Sequence, residues 1–309
     1  MIINLISDIA ICDNYALQKI KKFYSDQGNE IIEQNIMFAG LEGVKTFVSV
    51  VFKKNTKHYR DTVSHRQNVI LGGSGWDMSV LLPPEIEAVQ LKQNFGFTSR
   101  GCNRKCHFCI VPEKEGKFRP TGDIYDLWDG TKKAVIRLWD NNILFDQNHF
   151  GLICEQIRKN RLILDLNQGV DFRLITEESI RNMKGVRVID KWRFALDDVA
   201  SIPFFEKQLE LINQVEATPF VYVYTDGTDW EGLMTRLDFL KRMKCKPYLM
   251  QDDKIKEHPD KKLYTILGEW TNNKNGLFFT MTFDEFKVAN RKRKKKALFV
   301  EQSQNTFEF

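Results

Sequence analysis

The sequence predicts an α/β fold built on parallel strands, and three observations support this class. Short apolar runs rich in β-branched and aromatic residues alternate with amphipathic stretches, which predicts buried strands followed by helices. This alternation occurs over residues 1–90 and again after them, so two α/β regions are expected. The chain has 309 residues, of which 42% are hydrophobic and 28% charged, as expected for a globular protein of about two domains.

The first ninety residues predict a small α/β domain of their own. Its expected elements are a helix at Tyr15–Asp26 and strands at Ile2–Ile6, Glu30–Asn35, Thr46–Phe52 and Asn68–Leu71. The last strand runs into the sequence Gly72-Gly73-Ser74-Gly75. Backbone N–H groups of such a turn can approach an anion, but the run fits no Walker or dinucleotide template, and a tight turn is the alternative. Pro83 and Pro84 interrupt the pattern, so a linker is expected near residues 80–92.

Six β-α units in series follow, which implies a parallel sheet. The predicted helices lie at Asp146–Lys159, Thr176–Met183, Ile202–Val215 and Trp230–Met243. Each of these helices connects two predicted strands, and acidic residues follow the capping Thr176. The predicted strands are Phe95–Ser99, Ala134–Trp139, Leu162–Asn167, Trp192–Leu196, Phe220–Tyr224 and Pro247–Met250.

Composition and charge exclude several classes of protein. No uncharged apolar run approaches the roughly 18 residues that cross a bilayer, and the N-terminus has Asp8 in its apolar stretch and no secretory cleavage pattern. We therefore expect a cytoplasmic protein without a membrane partner. The net charge is +5, but the run Arg291 to Lys296 supplies six of the 46 basic residues and leaves 40 against 41 acidic ones. That run is either a solvated tail or a nucleic-acid contact.

Three of the six cysteines form the most informative cluster in the sequence. Cys102, Cys106 and Cys109 follow a predicted strand, with three and then two residues between them. In a reducing compartment, clustered thiols indicate metal ligation or redox chemistry. A zinc site usually closes with four protein ligands, and no fourth Cys or His stands at ordinary finger spacing. Three soft ligands suit an iron–sulfur cluster with one iron open to a non-protein ligand.

The segment Cys102-x-x-x-Cys106-x-Phe108-Cys109 resembles the signature of the radical S-adenosylmethionine (radical SAM) enzymes. The surrounding run Arg100 to Pro112, followed by Gly116-Lys117-Phe118-Arg119-Pro120, is similar to the cobalamin-domain and methylthiotransferase-like branches of that superfamily. The resemblance implies a partial (β/α)6 TIM-type barrel preceded by a flavodoxin-like domain. The expected domains are residues 1–90 (α/β), 91–285 (barrel) and 286–309 (basic tail).

The resemblance also implies cofactors and a reaction. The three cysteines would hold a 4Fe-4S cluster, and SAM would chelate its fourth iron. A one-electron donor such as a flavodoxin or ferredoxin would reduce the cluster, and SAM would be cleaved to methionine and a 5′-deoxyadenosyl radical that abstracts hydrogen from an unknown substrate. The hydrogen-abstraction site and any catalytic residue are not identified.

Further site residues are expected at the carboxyl ends of the predicted strands, where α/β barrels place their active sites. Asp140 and Asn141 stand where the family binds the amino group of SAM, and helix capping is the alternative. Phe108 matches a position near the adenine, with core packing as the alternative. Gln168 and Arg173 are candidate contacts to SAM or substrate.

Two features of the family are missing, and two alternatives stay open. There is no Asp-x-His-x-x-Gly segment to supply a cobalamin ligand, and the first domain offers only Cys12 where an auxiliary cluster would need three thiols. We therefore expect neither cobalamin binding nor methylthio transfer. The alternatives are a non-catalytic zinc or cluster protein that binds nucleic acid, and a radical SAM enzyme that modifies nucleic acid through the basic tail.

Overall fold

The computed structural model describes residues 1–292, and all structural statements below refer to these residues. It is an α/β protein with parallel sheets, which confirms the predicted α/β class, whereas the partial (β/α)6 barrel stays a prediction. The chain divides into two compact units, one from Met1 to Gln168 and one that begins at Gly169. The domain boundaries at residues 90 and 285 stay predictions.

The first unit contains two parallel sheets, and the first of them has the strand order β2-β1-β3-β4. The strands of this unit are β1 (Ile2–Ser7), β2 (Glu30–Glu33), β3 (Val44–Ser49), β4 (Val69–Gly72), β5 (Phe95–Gly96), β6 (Ser99–Arg100), β7 (Arg119–Pro120), β8 (Val135–Leu138) and β9 (Ile163–Leu166). The helices are α1 (Tyr15–Asp26), α2 (Thr56–Thr62), α3 (Pro84–Glu87), α4 (Val111–Lys114), α5 (Ile124–Leu127) and α6 (Gln147–Lys159).

The first sheet packs against α1. Ile3 and Leu5 alternate along β1, and they join Leu17 and Ile20 of α1 in one buried cluster. α1 begins where the side chain of Asn14 accepts the N–H of Leu17 at 3.2 Å, an N-cap that the sequence favours. Helix α3 adds Ile86 to the same cluster, so the segment predicted as a linker contributes to the core of this unit.

The Gly72–Gly75 run forms a tight turn against the chain that follows β3. Gly73 has a φ of +94°, and a Cβ there would lie 2.4 Å from the carbonyl oxygen of Val50. A Cβ on Gly75 would lie 2.6 Å from the carbonyl carbon of Phe52. Close backbone approach therefore accounts for both glycines.

The second sheet of the first unit contains β9, β8 and β5 in that order, with parallel pairing. The single strand predicted over Phe95–Ser99 is wrong in its extent. Gly96 has a φ of +149°, so β5 ends there, and β6 turns away to pair antiparallel with β7. β8 and β9 lie within their predicted ranges, because apolar residues dominate both.

The second unit contains a parallel sheet of β11, β12 and β13, with α9 packed against β12 and β13 and α10 against β13. Its predicted strands and helices are confirmed to within a few residues, and a further helical segment runs from 283 to 292. Residues 1–292 include no helix with the length and apolar character that a bilayer span requires. The elements of this unit are α7 (Glu177–Met183), β10 (Arg187–Val188), β11 (Arg193–Ala195), α8 (Ile202–Ile212), β12 (Phe220–Thr225), α9 (Trp230–Arg242), β13 (Lys246–Gln251), α10 (Lys261–Thr271) and α11 (Leu277–Thr280).

Candidate functional site

The three clustered cysteines lie in the connection between β6 and β7, whose antiparallel pairing brings the ends of this connection together. The backbone N–H of Cys102 donates to the carbonyl of Gly116 at 3.0 Å, and the N–H of Cys109 donates to the carbonyl of Cys106 at 3.0 Å. All three side chains are half-buried and carry free thiols. We call the segment 101–118 the cysteine loop.

A glycine at the start of the cysteine loop is required by the geometry. Gly101 has a φ of +79°, and a Cβ at this position would lie 2.2 Å from the carbonyl oxygen of Lys117. Any other residue would clash with backbone and also adopt a left-handed conformation that L-residues rarely populate. Gly101 thus lets the two ends of the loop close on each other.

One carboxylate anchors the loop to its surroundings. Oε2 of Glu115 accepts the N–H of Gly101 at 3.0 Å and the side-chain Nδ2 of Asn141 at 2.8 Å. The same oxygen lies 3.4 Å from Nε of Arg100, and the Glu115 side chain is only 12% exposed. Glu115 therefore joins the beginning of the cysteine loop to the segment that follows β8.

The thiols influence one another electrostatically. Burial raises the pKa of the Cys109 thiol above its ordinary value, the backbone N–H of Val111 lowers it, and the neighbouring thiols of Cys106 and Cys102 raise it further. The three sulfur donors therefore belong to one local environment.

The arrangement of the three thiols limits which metal groups they could hold. Within residues 1–292, no three His, Cys, Asp or Glu side chains converge closely enough to ligate a single metal ion. A single zinc ion needs each sulfur about 2.3 Å away, whereas a four-iron cluster binds each sulfur through a different iron and spans more widely separated donors. Three soft thiols in one closed loop fit such a cluster, and their ligand role stays a prediction.

Asp140, a predicted SAM contact, is almost fully buried and hydrogen-bonded to the strand region before the loop. Its carboxylate accepts the backbone N–H and hydroxyl of Thr98 at 3.1 and 2.8 Å and the hydroxyl of Ser99 at 2.5 Å. Burial raises its pKa, and these hydrogen bonds oppose the shift. His149 extends the network, with Nε2 3.1 Å from the Thr98 hydroxyl. The structure thus gives Asp140 a role in fixing the approach to the cysteine loop.

Asn142 was not identified from the sequence, yet it is the residue of this segment that reaches a cysteine. It is 3% exposed, and its Nδ2 lies 3.6 Å from Sγ of Cys102. Its Oδ1 is buried and has no hydrogen-bond partner among the described residues. A buried amide oxygen without a donor costs about 1–3 kcal/mol, so this atom is suited to accept a hydrogen bond from a bound group.

The remaining predicted site residues have diverse surroundings. The ring of Phe108 is half-buried and packs edge-on against His107, with 5.1 Å between the ring centroids. Gln168 is exposed at the end of the first unit. Arg173 belongs to the second unit, where its Nε donates to Oδ1 of Asp171 at 2.6 Å. The cofactor roles of these three residues stay predictions.

Two other cysteines are core residues. Cys154 and Cys245 are fully buried, and burial raises the pKa of each thiol to about 12. Neither is therefore a thiolate near neutral pH. The basic run predicted as a tail begins with Arg291 and Lys292, which end the described chain, and the rest of the run lies outside the described residues.

Comparison with known proteins finds one short similarity. Over 37 residues the chain is 57% identical to the ribosomal protein uS12 methylthiotransferase RimO of Leptospira biflexa serovar Patoc, in the Ames and the Paris strains of Patoc 1. The matched segment is 12% of this chain and 8% of each relative, so the chain covers only a small part of these relatives. No family model matches the chain.

Proposed function

We propose that this chain is a radical SAM enzyme that binds a 4Fe-4S cluster through Cys102, Cys106 and Cys109. The observation that carries the proposal is the cysteine loop: three half-buried thiols with this spacing, closed at Gly101 and anchored through Glu115. The short similarity to RimO supports it, because RimO is by name a methylthiotransferase, and the cysteine motif resembles the methylthiotransferase-like branch of the superfamily.

The protein would contribute binding, orientation and exclusion of water, while the cofactors supply the chemistry. When bound, the cluster would donate an electron to SAM, which would yield methionine and a 5′-deoxyadenosyl radical for hydrogen abstraction from the substrate. Asn142 offers its unpartnered Oδ1 to the amino group of SAM, next to the sulfur of Cys102. Asp140 and Asn141, on the same segment as Asn142, remain proposed contacts to SAM. Phe108 remains a proposed contact near the adenine, and Gln168 and Arg173 remain proposed contacts to SAM or substrate.

The experiment is anaerobic reconstitution of the full chain with iron and sulfide. We expect about four irons per chain, an electron paramagnetic resonance signal that changes on adding SAM, and 5′-deoxyadenosine after reduction by dithionite. Cys106→Ala should lose the iron and the SAM-dependent signal. Cys12→Ala is the matched control, because Cys12 is exposed and lies in a turn far along the chain from the loop.

Retention of the full iron content by Cys106→Ala would contradict the proposal. So would tightly bound zinc without iron, which would favour the alternative of a non-catalytic metal protein. Iron that does not respond to SAM would favour a cluster with a structural role.

We do not extend the proposal to methylthio transfer. Besides the three cysteines of the loop, the first unit contains only the exposed Cys12 and the buried Cys154. No second group of three thiols is therefore present within residues 1–292. The proposed partners are SAM, a one-electron donor such as a flavodoxin or ferredoxin, and a substrate that the fold alone does not name.

A further inference from the structure

Two charged residues interrupt otherwise apolar strands of the second sheet. Arg137 occurs in Val135–Leu138 and Asp165 in Ile163–Leu166. Strands of parallel sheets usually form near-continuous apolar runs, because both faces of such sheets are covered. A charge in each of two neighbouring strands therefore calls for an explanation.

The two residues form an ion pair across the sheet. Arg137 and Asp165 are directly paired in the parallel register, so their side chains stand on the same face. Nε of Arg137 donates to Oδ2 of Asp165 at 2.8 Å. The Asp165 side chain is 4% exposed, whereas the Arg137 side chain is 51% exposed.

The difference in exposure between the two side chains indicates that the ion pair does more than stabilise the sheet. A pair that serves stability alone can be replaced by apolar residues at little cost, and here its cation remains half open to solvent. Asp165 contacts the Nε edge of the guanidinium. Within residues 1–292, no other hydrogen bond or ion pair engages the Arg137 side chain, so its terminal Nη groups are available as a second edge for bidentate binding.

The position of Arg137 favours a ligand site. It is the penultimate residue of β8, near the carboxyl end at which α/β proteins place their sites. Asn141 and Asn142, which contact the anchor and a cysteine of the cysteine loop, follow within five residues. The neighbours of Arg137 in β8, Ile136 and Leu138, are fully buried on the other face.

We propose that Arg137, held by Asp165, binds an oxyanion of the substrate, a carboxylate or a phosphate. The inference rests on the proposed function in naming the ligand as the substrate, and it narrows that substrate to an anionic molecule. The anion site itself is independent of the iron cluster, so the two ideas can be tested separately.

Arginine-selective modification by phenylglyoxal tests the site in the wild-type chain. Modification of Arg137 is followed by peptide mass spectrometry in chloride, inorganic phosphate or succinate at equal ionic strength. At an anion concentration of twice Kd one third of the sites stay free, so we expect about threefold slower modification. Arg181 is the internal control, because its side chain is 67% exposed on helix α7 and pairs only loosely with Glu177 at 3.8 Å.

Slower modification in phosphate alone would indicate a phosphorylated substrate, and slower modification in succinate a carboxylate. Equal rates for Arg137 in all three salts, or equal protection of Arg181, would overturn the site. Arg137→Gln gives a second measurement: it should lose the rise in Tm that the effective anion causes, and Arg181→Gln should keep that rise. Retention of the rise by Arg137→Gln would also overturn the site.

The two proposals fail in different ways. Protection of Arg137 in a chain that binds no iron would leave the anion site standing and would refute the radical SAM reaction. Iron binding and SAM cleavage without protection would refute the anion site and leave the reaction standing.

Discussion

Replacing Glu115 by alanine should loosen the cysteine loop, because one carboxylate oxygen makes three contacts. It accepts hydrogen bonds from Gly101 and Asn141 and pairs with Arg100. A hydrogen bond to a charged group contributes about 1.5–3 kcal/mol, and a partly exposed ion pair about 0.2–1 kcal/mol. Water can replace part of the Asn141 contact, so we expect Glu115→Ala to cost about 2–4 kcal/mol of stability.

The assay is urea unfolding of the metal-free protein, followed by circular dichroism and tryptophan fluorescence. Glu113→Ala is the matched control, because Glu113 is exposed on α4, the short helix that ends just before Glu115, and makes no side-chain hydrogen bond or ion pair within residues 1–292. We expect a lower midpoint for Glu115→Ala and an unchanged midpoint for Glu113→Ala. Iron bound after reconstitution should fall only in Glu115→Ala.

Coincident unfolding curves for wild type, Glu113→Ala and Glu115→Ala would refute this reasoning. The loop would then owe its geometry to the backbone pairing of β6 and β7 alone. A lower midpoint with normal iron content would show that Glu115 stabilises the unit without shaping the thiol positions.

Three further changes test other parts of the structure. Gly101→Ala should lower the free energy of unfolding by several kcal/mol and reduce the iron content, because its Cβ would lie 2.2 Å from a carbonyl oxygen. Gly116→Ala is the control: Gly116 has a φ of +75° but open space around it, so its replacement should lower the free energy of unfolding in urea by only about 1 kcal/mol. Burial raises the pKa of the Tyr15 hydroxyl to about 12 in the folded protein. As the pH rises, the unfolded chain therefore loses the hydroxyl proton before the folded protein does. The free energy of unfolding of the wild type should fall by up to about 2–3 kcal/mol between pH 10 and 12. Tyr15→Phe should lack that contribution, and equal pH profiles in urea unfolding would contradict it. Asn142→Asp should lower the iron bound after reconstitution, and Asn148→Asp should not.

The regular parts of the fold could be predicted because local pattern determines them. Apolar residues dominate β8 and β12, and the helix starts at Asn14 and Thr176 carry side-chain caps. The break after Gly96 could not be predicted, because it depends on a positive φ and on the pairing of β6 with a strand about twenty residues later. Such a pairing leaves no periodic signal in the sequence.

The site was predictable to the level of the motif and no further. Cysteine spacing identifies the loop, since three thiols within eight positions are unusual by themselves. The segment Asp140-Asn141-Asn142 offers three polar side chains in a row, and only the backbone path after β8 decides their directions. Asp140 faces Thr98, Asn141 faces Glu115, and Asn142 faces a cysteine sulfur.

Electrostatic repulsion explains why a neutral amide, and not a carboxylate, is favoured at position 142. The side chain is buried beside Cys102, with 3.6 Å between Nδ2 and Sγ. A carboxylate there would face thiolates when a cluster binds, and two unit charges at about 4 Å repel by about 4 kcal/mol at an effective dielectric constant of 20. Protonating the carboxyl at pH 7 instead costs about 4 kcal/mol.

Water and the sharing of charge within the cluster weaken this repulsion, but more than about 1.4 kcal/mol of it should remain. Asn142→Asp should therefore bind the cluster at least tenfold more weakly than wild type. The loss should be smaller at pH 6 than at pH 8, since protonation removes the negative charge. Iron retained against a chelator at the two pH values measures both effects, with Asn148→Asp as the exposed control. If Asn142→Asp retains iron as wild type does at pH 8, the amide does not lie beside a cluster ligand, and the assignment of Cys102 as that ligand loses its electrostatic support.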